Sequence, residues 1–343
     1  MSIHPTEATR LARICLPQIL AHSKTDRNDE ISGDGVHDVT ATTSLLTDEQ
    51  VTVKTLCRLW AGMGYIYQVT IALPSSSSST SSSSSLNKIK SKNKVYHHFI
   101  IKQIVIPSTS PHSRRSVGDE RKANSYFIEA NFYQGLAPIL IKNHNLSIPI
   151  PYHIELGGCS DVAEKEYGHL CNNSRDMVEE QDQFISICMS LLNGSPSSKH
   201  LDANHNIHAA LSWLATLHAA TWGAAKVDSY VRDKLVQPIG SYWHLDTRLD
   251  EHKSMPNQGW EGRLKRAARA IHERLRRDSM QCCIHGDAKD ANMLFQKMDD
   301  DDDDDDDDVG CGGVSVSMFD FQYIGKAPPS VSSPFVLWGY LIN

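Results

Sequence analysis

The chain has 343 residues, of which 40% are hydrophobic and 22% are charged, so it is long enough to form two domains around a sizeable core. Its net charge of −7 arises from one run of ten aspartates, Asp299 to Asp308, because the remaining residues are 34 basic and 31 acidic. This balance favours neither a nucleic-acid partner nor a membrane surface, and we expect the protein to bind neither.

The cysteines and the chain ends favour a cytoplasmic protein. None of the eight cysteines forms a CxxC pair or a cluster with zinc spacing, so buried free thiols in a reducing compartment are expected. The first ten residues include Glu7 and lack an apolar core, which argues against a secretory signal. The apolar stretch 335–342 is too short to span a bilayer.

The first half of the chain is rich in predicted strands. A short amphipathic helix is predicted over residues 5–22, and with the polar segment behind it forms an N-terminal region, 1–50. Strands are predicted at 55–60 and 68–73, around the turn Ala61-Gly62-Met63-Gly64, and at 95–106. The serine-rich stretch 75–94 separates the second and third strands and is predicted to be a disordered insertion in an expanded hairpin.

The second half is rich in predicted helices. They are expected at 121–135, 206–222 and 259–277, with a further strand at 184–189 and two short strands flanking the aspartate run. This order predicts an α+β fold with two lobes. The first lobe is expected at 51–189 and the second, mostly helical, at 190–343, with a hinge near 189–194.

The clearest chemical signal is the stretch His285-Gly286-Asp287-Ala288-Lys289-Asp290-Ala291-Asn292, followed downstream by Phe319-Asp320-Phe321-Gln322. Phosphoryl transfer depends on positioning and on neutralising the charge of the phosphoryl oxygens. Asp287 is placed to accept the proton of an attacking hydroxyl, and Lys289 to reach the transferring phosphate. Asn292 and Asp320 offer the oxygen ligands that Mg²⁺ prefers.

Two features of the first lobe fit the same chemistry. Lys102 lies within an apolar strand, where an ammonium group needs a partner or a ligand, and Glu129 on the next helix is a candidate partner. Such a lysine and glutamate hold the α- and β-phosphates of ATP in kinases. Gly62 and Gly64 would let the backbone approach phosphates closely.

Each of these interpretations has a plain structural alternative. Asp287 and Asn292 could serve only to make turns, with His285 as a core residue whose hydrogen bonds are satisfied. Lys102 could extend from an edge strand to solvent, and the glycines could be an ordinary turn. The combination of HGDxKxxN, an apolar strand and FDFQ favours the chemical interpretation, because each part supplies a different requirement of phosphoryl transfer.

These residues resemble the aminoglycoside phosphotransferase/choline kinase superfamily, and specifically its ecdysteroid-kinase-like (CHK kinase-like) branch. The segments that carry the resemblance are LWAGMGYIYQV, FIIK, SYFIEANFY, ALSWLATLHAATWG, SYWHLDTR, CIHGDAKDANMLF and FDFQYIGKAPP, between about residues 50 and 329. The resemblance implies a protein-kinase-like two-lobed fold and ATP- and Mg²⁺-dependent phosphorylation of a hydroxyl on a small molecule. It also implies catalytic Asp287, metal ligands Asn292 and Asp320, and a nucleotide contact from Lys102 paired with Glu129.

Several functions compete. The first is a small-molecule kinase with an alcohol group as acceptor. The second is a truncated, non-catalytic nucleotide-binding member of the same family, because only 23 residues follow Asp320 where relatives continue with several helices. A protein kinase is disfavoured because the loop begins HGD and neither DFG nor APE follows. A Ca²⁺ site in the aspartate run lacks the spaced ligands and glycine of an EF-hand loop.

Overall fold

The computed structural model describes residues 3–25, 46–59, 62–74, 94–107, 117–157, 182–196, 205–297 and 313–332. The serine tract at 75–85, the aspartate run at 299–308 and the terminal segment 333–343 lie outside the described residues. The predictions made for these segments therefore remain predictions.

The described residues form helices and strands in mixed order. The helices are α1 (Pro5–Thr25), α2 (Val117–Gly135), α3 (Ala137–His144), α4 (His205–Ala220), α5 (Ala224–Arg232), α6 (Leu249–Ser254) and α7 (Gly259–Arg276). The strands are β1 (Val51–Arg58), β2 (Gly64–Pro74), β3 (Lys94–Ile106), β4 (Pro151–Gly157), β5 (Gln183–Ser190), β6 (Cys282–Ile284), β7 (Met293–Lys297), β8 (Val314–Met318) and β9 (Gly325–Ala327).

One compact unit comprises residues 1–112 and 151–191. Its five-stranded antiparallel sheet has the order β1-β2-β3-β5-β4. Strands β2 and β3 pair from Gly64 with Ile104 to Pro74 with Lys94, which confirms the predicted hairpin. The predicted strand at 184–189 is confirmed as β5, and β4 was not predicted.

The amphipathic helix predicted at 5–22 is confirmed as α1, which packs against β1, β2, β4 and β5 of this sheet. Its buried apolar residues recur every three or four positions and so share one face: Ala8, Leu11, Ala12, Cys15, Leu16 and Ile19. Arg10, on the same helix, donates to Glu7 and to Glu155 of β4 at 2.7 Å each. The helix is thus tied to the sheet by an apolar face and by one charged contact.

The second unit comprises residues 113–150 and 192–343. Two small antiparallel sheets, β6 with β9 and β7 with β8, lie among its helices. An aromatic cluster forms part of its core. The rings of Phe132 and Phe321 stack with their centroids 4.3 Å apart, and the Tyr133 ring meets the Phe321 ring edge-on with the centroids 5.8 Å apart. Helix α2 is therefore built into this unit through its C-terminal half.

The prediction of an α+β fold is confirmed, and the described residues divide into two compact units. Residues 113–150 group with the second unit and residues 1–50 with the first, and the predicted bounds of the N-terminal region and of the two lobes stay predictions. The chain passes from the first unit to the second after Leu191, and the hinge near 189–194 stays a prediction.

Cys15, Cys188, Cys282 and Cys283 are buried free thiols, as expected, whereas Cys57 is exposed. Within the described ranges, no helix combines the length and the apolarity that crossing a membrane requires.

Candidate active site

The loop after β6 turns so tightly that only glycine fits at its second position. Gly286 has a φ of +85°, and a Cβ atom there would lie 1.9 Å from the carbonyl oxygen of Tyr323 and 2.9 Å from the nitrogen of Ser241. The N–H of Ser241 donates to that same carbonyl at 3.1 Å. This close approach brings the segments around Ser241 and Tyr323 against the residue that precedes Asp287.

His285 joins the two halves of the predicted motif from within the core. It is fully buried, and its Nε2 lies 3.1 Å from the carbonyl oxygen of Phe319, while the N–H of Asp287 donates to Nδ1 at 3.4 Å. A carbonyl only accepts, so Nε2 carries the proton and Nδ1 is free to accept. Burial lowers the pKa of His285, which keeps the ring neutral. His285 is therefore a positioning residue with satisfied hydrogen bonds, as its plain structural alternative expects.

Two side chains of the loop, those of Lys289 and Asn292, converge on Asp287. The Nζ atom of Lys289 lies 2.8 Å from the Asp287 Oδ2 atom. The amide nitrogen of Asn292 donates to the same Oδ2 at 3.1 Å and to the Asp287 carbonyl at 2.9 Å. Asp287 is partly exposed and Lys289 is half-exposed, so solvent reaches the pair. The structure thus brings together three of the residues singled out by the sequence.

Asp320 follows β8 in a backbone conformation that few residues other than glycine adopt. Its φ is +68°, in the left-handed region, where a non-glycine residue costs about 1–2 kcal/mol. The amide nitrogen of Gln322 donates to its Oδ1 atom at 2.7 Å. Such strain persists where the surroundings enforce it and is concentrated at functional sites.

Two hydrogen bonds to the backbone of Phe319 connect the loop of Asp287 with the loop of Asp320. The Phe319 carbonyl accepts from His285, and the Phe319 N–H donates to the carbonyl of Asn292 at 3.1 Å. The residues on either side of Asp287 are thus bonded to the residue just before Asp320. The two predicted parts of the motif form one connected site.

Helix α2 also contributes to this site. Glu129 is buried in the same unit, and burial, followed by the charges of Glu129 and Asp320, raises the pKa of Tyr133 well above its usual value. The Tyr133 hydroxyl is buried without a hydrogen-bond partner among the described residues. Ser125 Oγ donates to the Gln322 Oε1 atom at 3.3 Å. Glu129 and Asp320 therefore both lie close enough to Tyr133 to act on its hydroxyl.

The candidate nucleotide residues of the other unit lie in its sheet. Lys102 is only 3% exposed in β3, where it stands opposite Ile66 of β2 and Ile187 of β5. Lys102 thus occupies a central strand, which argues against the alternative of an edge-strand lysine. Its pairing with Glu129 joins two different units and stays a prediction.

The glycines of the turn before β2 have clear packing roles. Gly62 has a φ of +74°, and a Cβ there would meet the end of the Arg58 side chain at 2.5 Å. At Gly64 a Cβ would lie 2.0 Å from the carbonyl oxygen of Gln103 in the neighbouring strand. Gly64 is therefore required by sheet packing, whatever else the turn binds.

The donor set suits a hard cation. The two hydrogen bonds that Asn292 donates use its nitrogen and leave its amide oxygen available as a ligand, and Asp320 adds a carboxylate. Amide and carboxylate oxygens fit Mg²⁺ and do not favour softer metals. In the described part of the chain, no three histidine, cysteine, aspartate or glutamate side chains form a group that could hold a metal ion.

Sequence reasoning missed several contributors to the site. Gln322 belongs to the FDFQ segment but had no assigned role, and its contact with Asp320 could have been sought at that spacing. Tyr133 carried no signal, because its position beside Asp320 depends on how α2 packs. The left-handed conformations of Ser241 and Asp320 were also not foreseen.

No protein-family model matches the chain, and no curated protein matches it. Among solved structures, the chain is similar to the crystal structure of an aminoglycoside-3′-phosphotransferase of type VIII. The two are 13% identical, the alignment covers 84% of this chain and 77% of the other, and the TM-score is 0.38.

Proposed function

We propose that the chain transfers the terminal phosphoryl group of ATP, with Mg²⁺, to a hydroxyl group of a small molecule. The observation that carries the proposal is the convergence of Lys289 and Asn292 on Asp287, in a loop bonded to the segment that holds Asp320 in a strained conformation. The motifs that resemble the ecdysteroid-kinase-like branch support a small-molecule acceptor.

Asp287 is the group that receives the proton in this proposal. Its carboxylate is reachable from solvent, so an acceptor hydroxyl can approach it. The bond from the Asp287 N–H to the His285 ring and those from Asn292 restrict the backbone and the side chain. A general base held in one orientation avoids reorganisation at the moment of reaction.

Lys289 has two roles available to it. It neutralises Asp287 in the free protein and, on a half-exposed and flexible side chain, can turn towards an incoming phosphoryl group. Moving the ammonium from Asp287 to phosphate would also release the Oδ2 atom to accept a proton. The same lysine then stabilises the charge that spreads over the phosphoryl oxygens.

Asn292 and Asp320 would hold the metal, and Lys102, Glu129, Gly62 and Gly64 the nucleotide. When bound, ATP would supply the phosphoryl group and Mg²⁺ would neutralise the charge on its oxygens. Asn292 has its nitrogen committed to Asp287, which orients the oxygen as a ligand. Gln322 orients the carboxylate of Asp320 in a comparable way.

The test uses the full chain and three matched charge substitutions. Asp287→Asn and Asp320→Asn each replace a carboxylate by an amide of the same shape, and asparagine also tolerates the left-handed backbone at position 320. Asp290→Asn makes the same change on an exposed residue of the loop, whose Oδ1 accepts from the Ala291 N–H, a bond that asparagine retains.

Nucleotide binding is measured for all four proteins, together with transfer of the labelled terminal phosphoryl group of ATP to a panel of hydroxylated acceptors and to water. We expect Asp287→Asn to bind Mg·ATP and lose turnover, Asp320→Asn to lose Mg²⁺-dependent binding, and Asp290→Asn to behave like the parent. Binding without turnover in the parent would support the non-catalytic alternative. Absence of nucleotide binding in the parent would refute both.

A further inference from the structure

An apolar groove lies in the second unit, on the side of α7 that the rest of the unit leaves uncovered. It encloses a volume of about 700 Å³, and its lining includes Trp243, Met255, Leu264, Ile271 and Val331. Trp243, Leu264 and Ile271 are 61%, 46% and 47% exposed among the described residues. Large apolar side chains that are exposed together around one groove are typical of a binding surface.

Helix α7 explains why the groove exists. Its apolar positions Leu264, Ala268, Ile271 and Leu275 recur at steps of three and four residues, and all four line the groove. Gly262 is the only residue of this helix that is buried within the described structure. An amphipathic helix with an exposed apolar face is an incomplete packing arrangement.

The described part of the chain ends at this groove. Val331 lines the groove. The next residue, Ser332, is buried, and its Oγ atom lies 3.0 Å from the Nε2 atom of His218 on α4. This contact anchors the chain at the groove's edge. The sequence then continues with Ser333 and Pro334 and with eight uncharged residues, Phe335 to Ile342, of which seven are apolar or aromatic and one is glycine.

We propose that the segment Phe335–Ile342 of this chain binds in the groove and covers the apolar face of α7. Two residues separate Phe335 from the anchored Ser332, so the entropy cost of closing this loop is small and the effective concentration of the segment at the groove is high. The segment has no charge to place in the groove, and the groove offers apolar side chains to it. The proposal does not depend on the phosphotransfer activity.

Position-specific crosslinking tests the contact in the full chain. Leu337→Cys is combined with Ile271→Cys, in the groove, or with Arg269→Cys, which is exposed and about 200° around α7 from Ile271. Both proteins also carry Cys57→Ser, which removes an exposed native thiol. A short bismaleimide is added to dilute protein, and the crosslinked peptides are identified and quantified by mass spectrometry.

We expect the yield of intramolecular crosslink between positions 337 and 271 to exceed the yield between positions 337 and 269, the control pair, by about tenfold. Equal yields from the two faces of the helix would overturn the proposal, and so would absence of a crosslink from the groove. A crosslink that joins two chains at all protein concentrations would also overturn it and would assign the groove to a second copy.

A second measurement does not depend on introduced cysteines. Phe335→Ser, Leu337→Ser and Trp338→Ser are combined in the full chain, and fluorescence of anilinonaphthalene sulfonate, a probe of exposed apolar surface, is compared with that of the parent. If the segment covers the groove, dye fluorescence rises in the variant, and Ile271→Asp in the same background lowers it again. Unchanged dye fluorescence in a folded variant would refute the proposal.

Discussion

Asn292 donates from one amide nitrogen to two acceptors of a single residue, the carbonyl oxygen and the carboxylate of Asp287, at 2.9 and 3.1 Å. The side chain of the proposed metal ligand thus also holds the proposed general base in position. A substitution at position 292 is therefore expected to affect the geometry of Asp287 as well as metal binding.

We expect Asn292→Ala to lower the free energy of unfolding by about 1–3 kcal/mol, because a buried residue loses two donated hydrogen bonds. Asn292→Asp should cost more, since it places a second carboxylate against that of Asp287. Urea unfolding of both variants measures this, with Asp290→Asn as the control. Equal stability of the alanine and aspartate variants would show that Lys289 neutralises both carboxylates.

The two glycines before β2 should respond very differently to alanine. At Gly64 the new Cβ would lie 2.0 Å from the backbone of Gln103, so we expect a loss of more than about 2 kcal/mol. At Gly62 it meets the movable end of Arg58, and the cost should be about 1–2 kcal/mol from the left-handed backbone alone. Thermal or urea unfolding checks the order. If Gly62 contacts the nucleotide, Gly62→Ala should also lower the affinity of the folded protein for ATP.

His218 should make the protein less stable in mild acid. Burial lowers its pKa to about 4, below the unfolded value near 6.5, so the unfolded chain binds the proton more tightly. The neutral ring contributes stability that is present above pH 6.5 and is lost as the pH falls towards 4. At pH 5 this amounts to about 2 kcal/mol.

Replacing His218 by glutamine tests this, with His208→Gln on the exposed side of the same helix as the control. Urea unfolding at pH 7.5 and pH 5 gives the loss of stability on acidification. That loss should be smaller by about 2 kcal/mol in His218→Gln than in the control. The same loss in both variants would contradict the assignment.

Arg10 should hold α1 on the sheet chiefly above pH 4.5. His153 and Arg10 lower the pKa of Glu155 to about 2, so the stability from its ionised form is present above pH 4.5 and is lost as the pH falls through 2. Because Arg10 is partly exposed, we expect Arg10→Met to cost only about 1–3 kcal/mol at pH 7 and less near pH 2. Unfolding of the parent and the variant across this range measures it. A cost that does not change with pH would attribute the effect to packing of the arginine side chain.

Much of the fold follows from local patterns in the sequence. The runs that became β2, β3 and β5 are long, apolar and bounded by turn residues, and α1 and α7 have regular helical spacing. Strand β4 was missed because its seven residues, PYHIELG, do not alternate regularly between apolar and polar side chains. The grouping of α2 with the second unit depends on contacts between Phe132 and Phe321, which are far apart in the sequence.

The site divides in a similar way. Asp287, Lys289 and Asn292 lie within six residues, so their convergence could be predicted from spacing alone. The closeness of Gly286 to Tyr323, and of Tyr133 to Asp320, arises between distant segments and leaves no local pattern. The positive φ of Asp320 could not be predicted from the sequence either, because aspartate is common in ordinary turns.

Because of that conformation, a saturation library at position 320 can distinguish the requirements of folding from those of catalysis. The backbone at φ +68° admits glycine and asparagine alongside aspartate and rejects β-branched side chains. A selection for abundance should therefore retain those three residues, whereas a selection for phosphotransfer should retain aspartate alone. The two enrichment profiles, read at a single codon, would distinguish a residue kept for its backbone from one kept for its carboxylate.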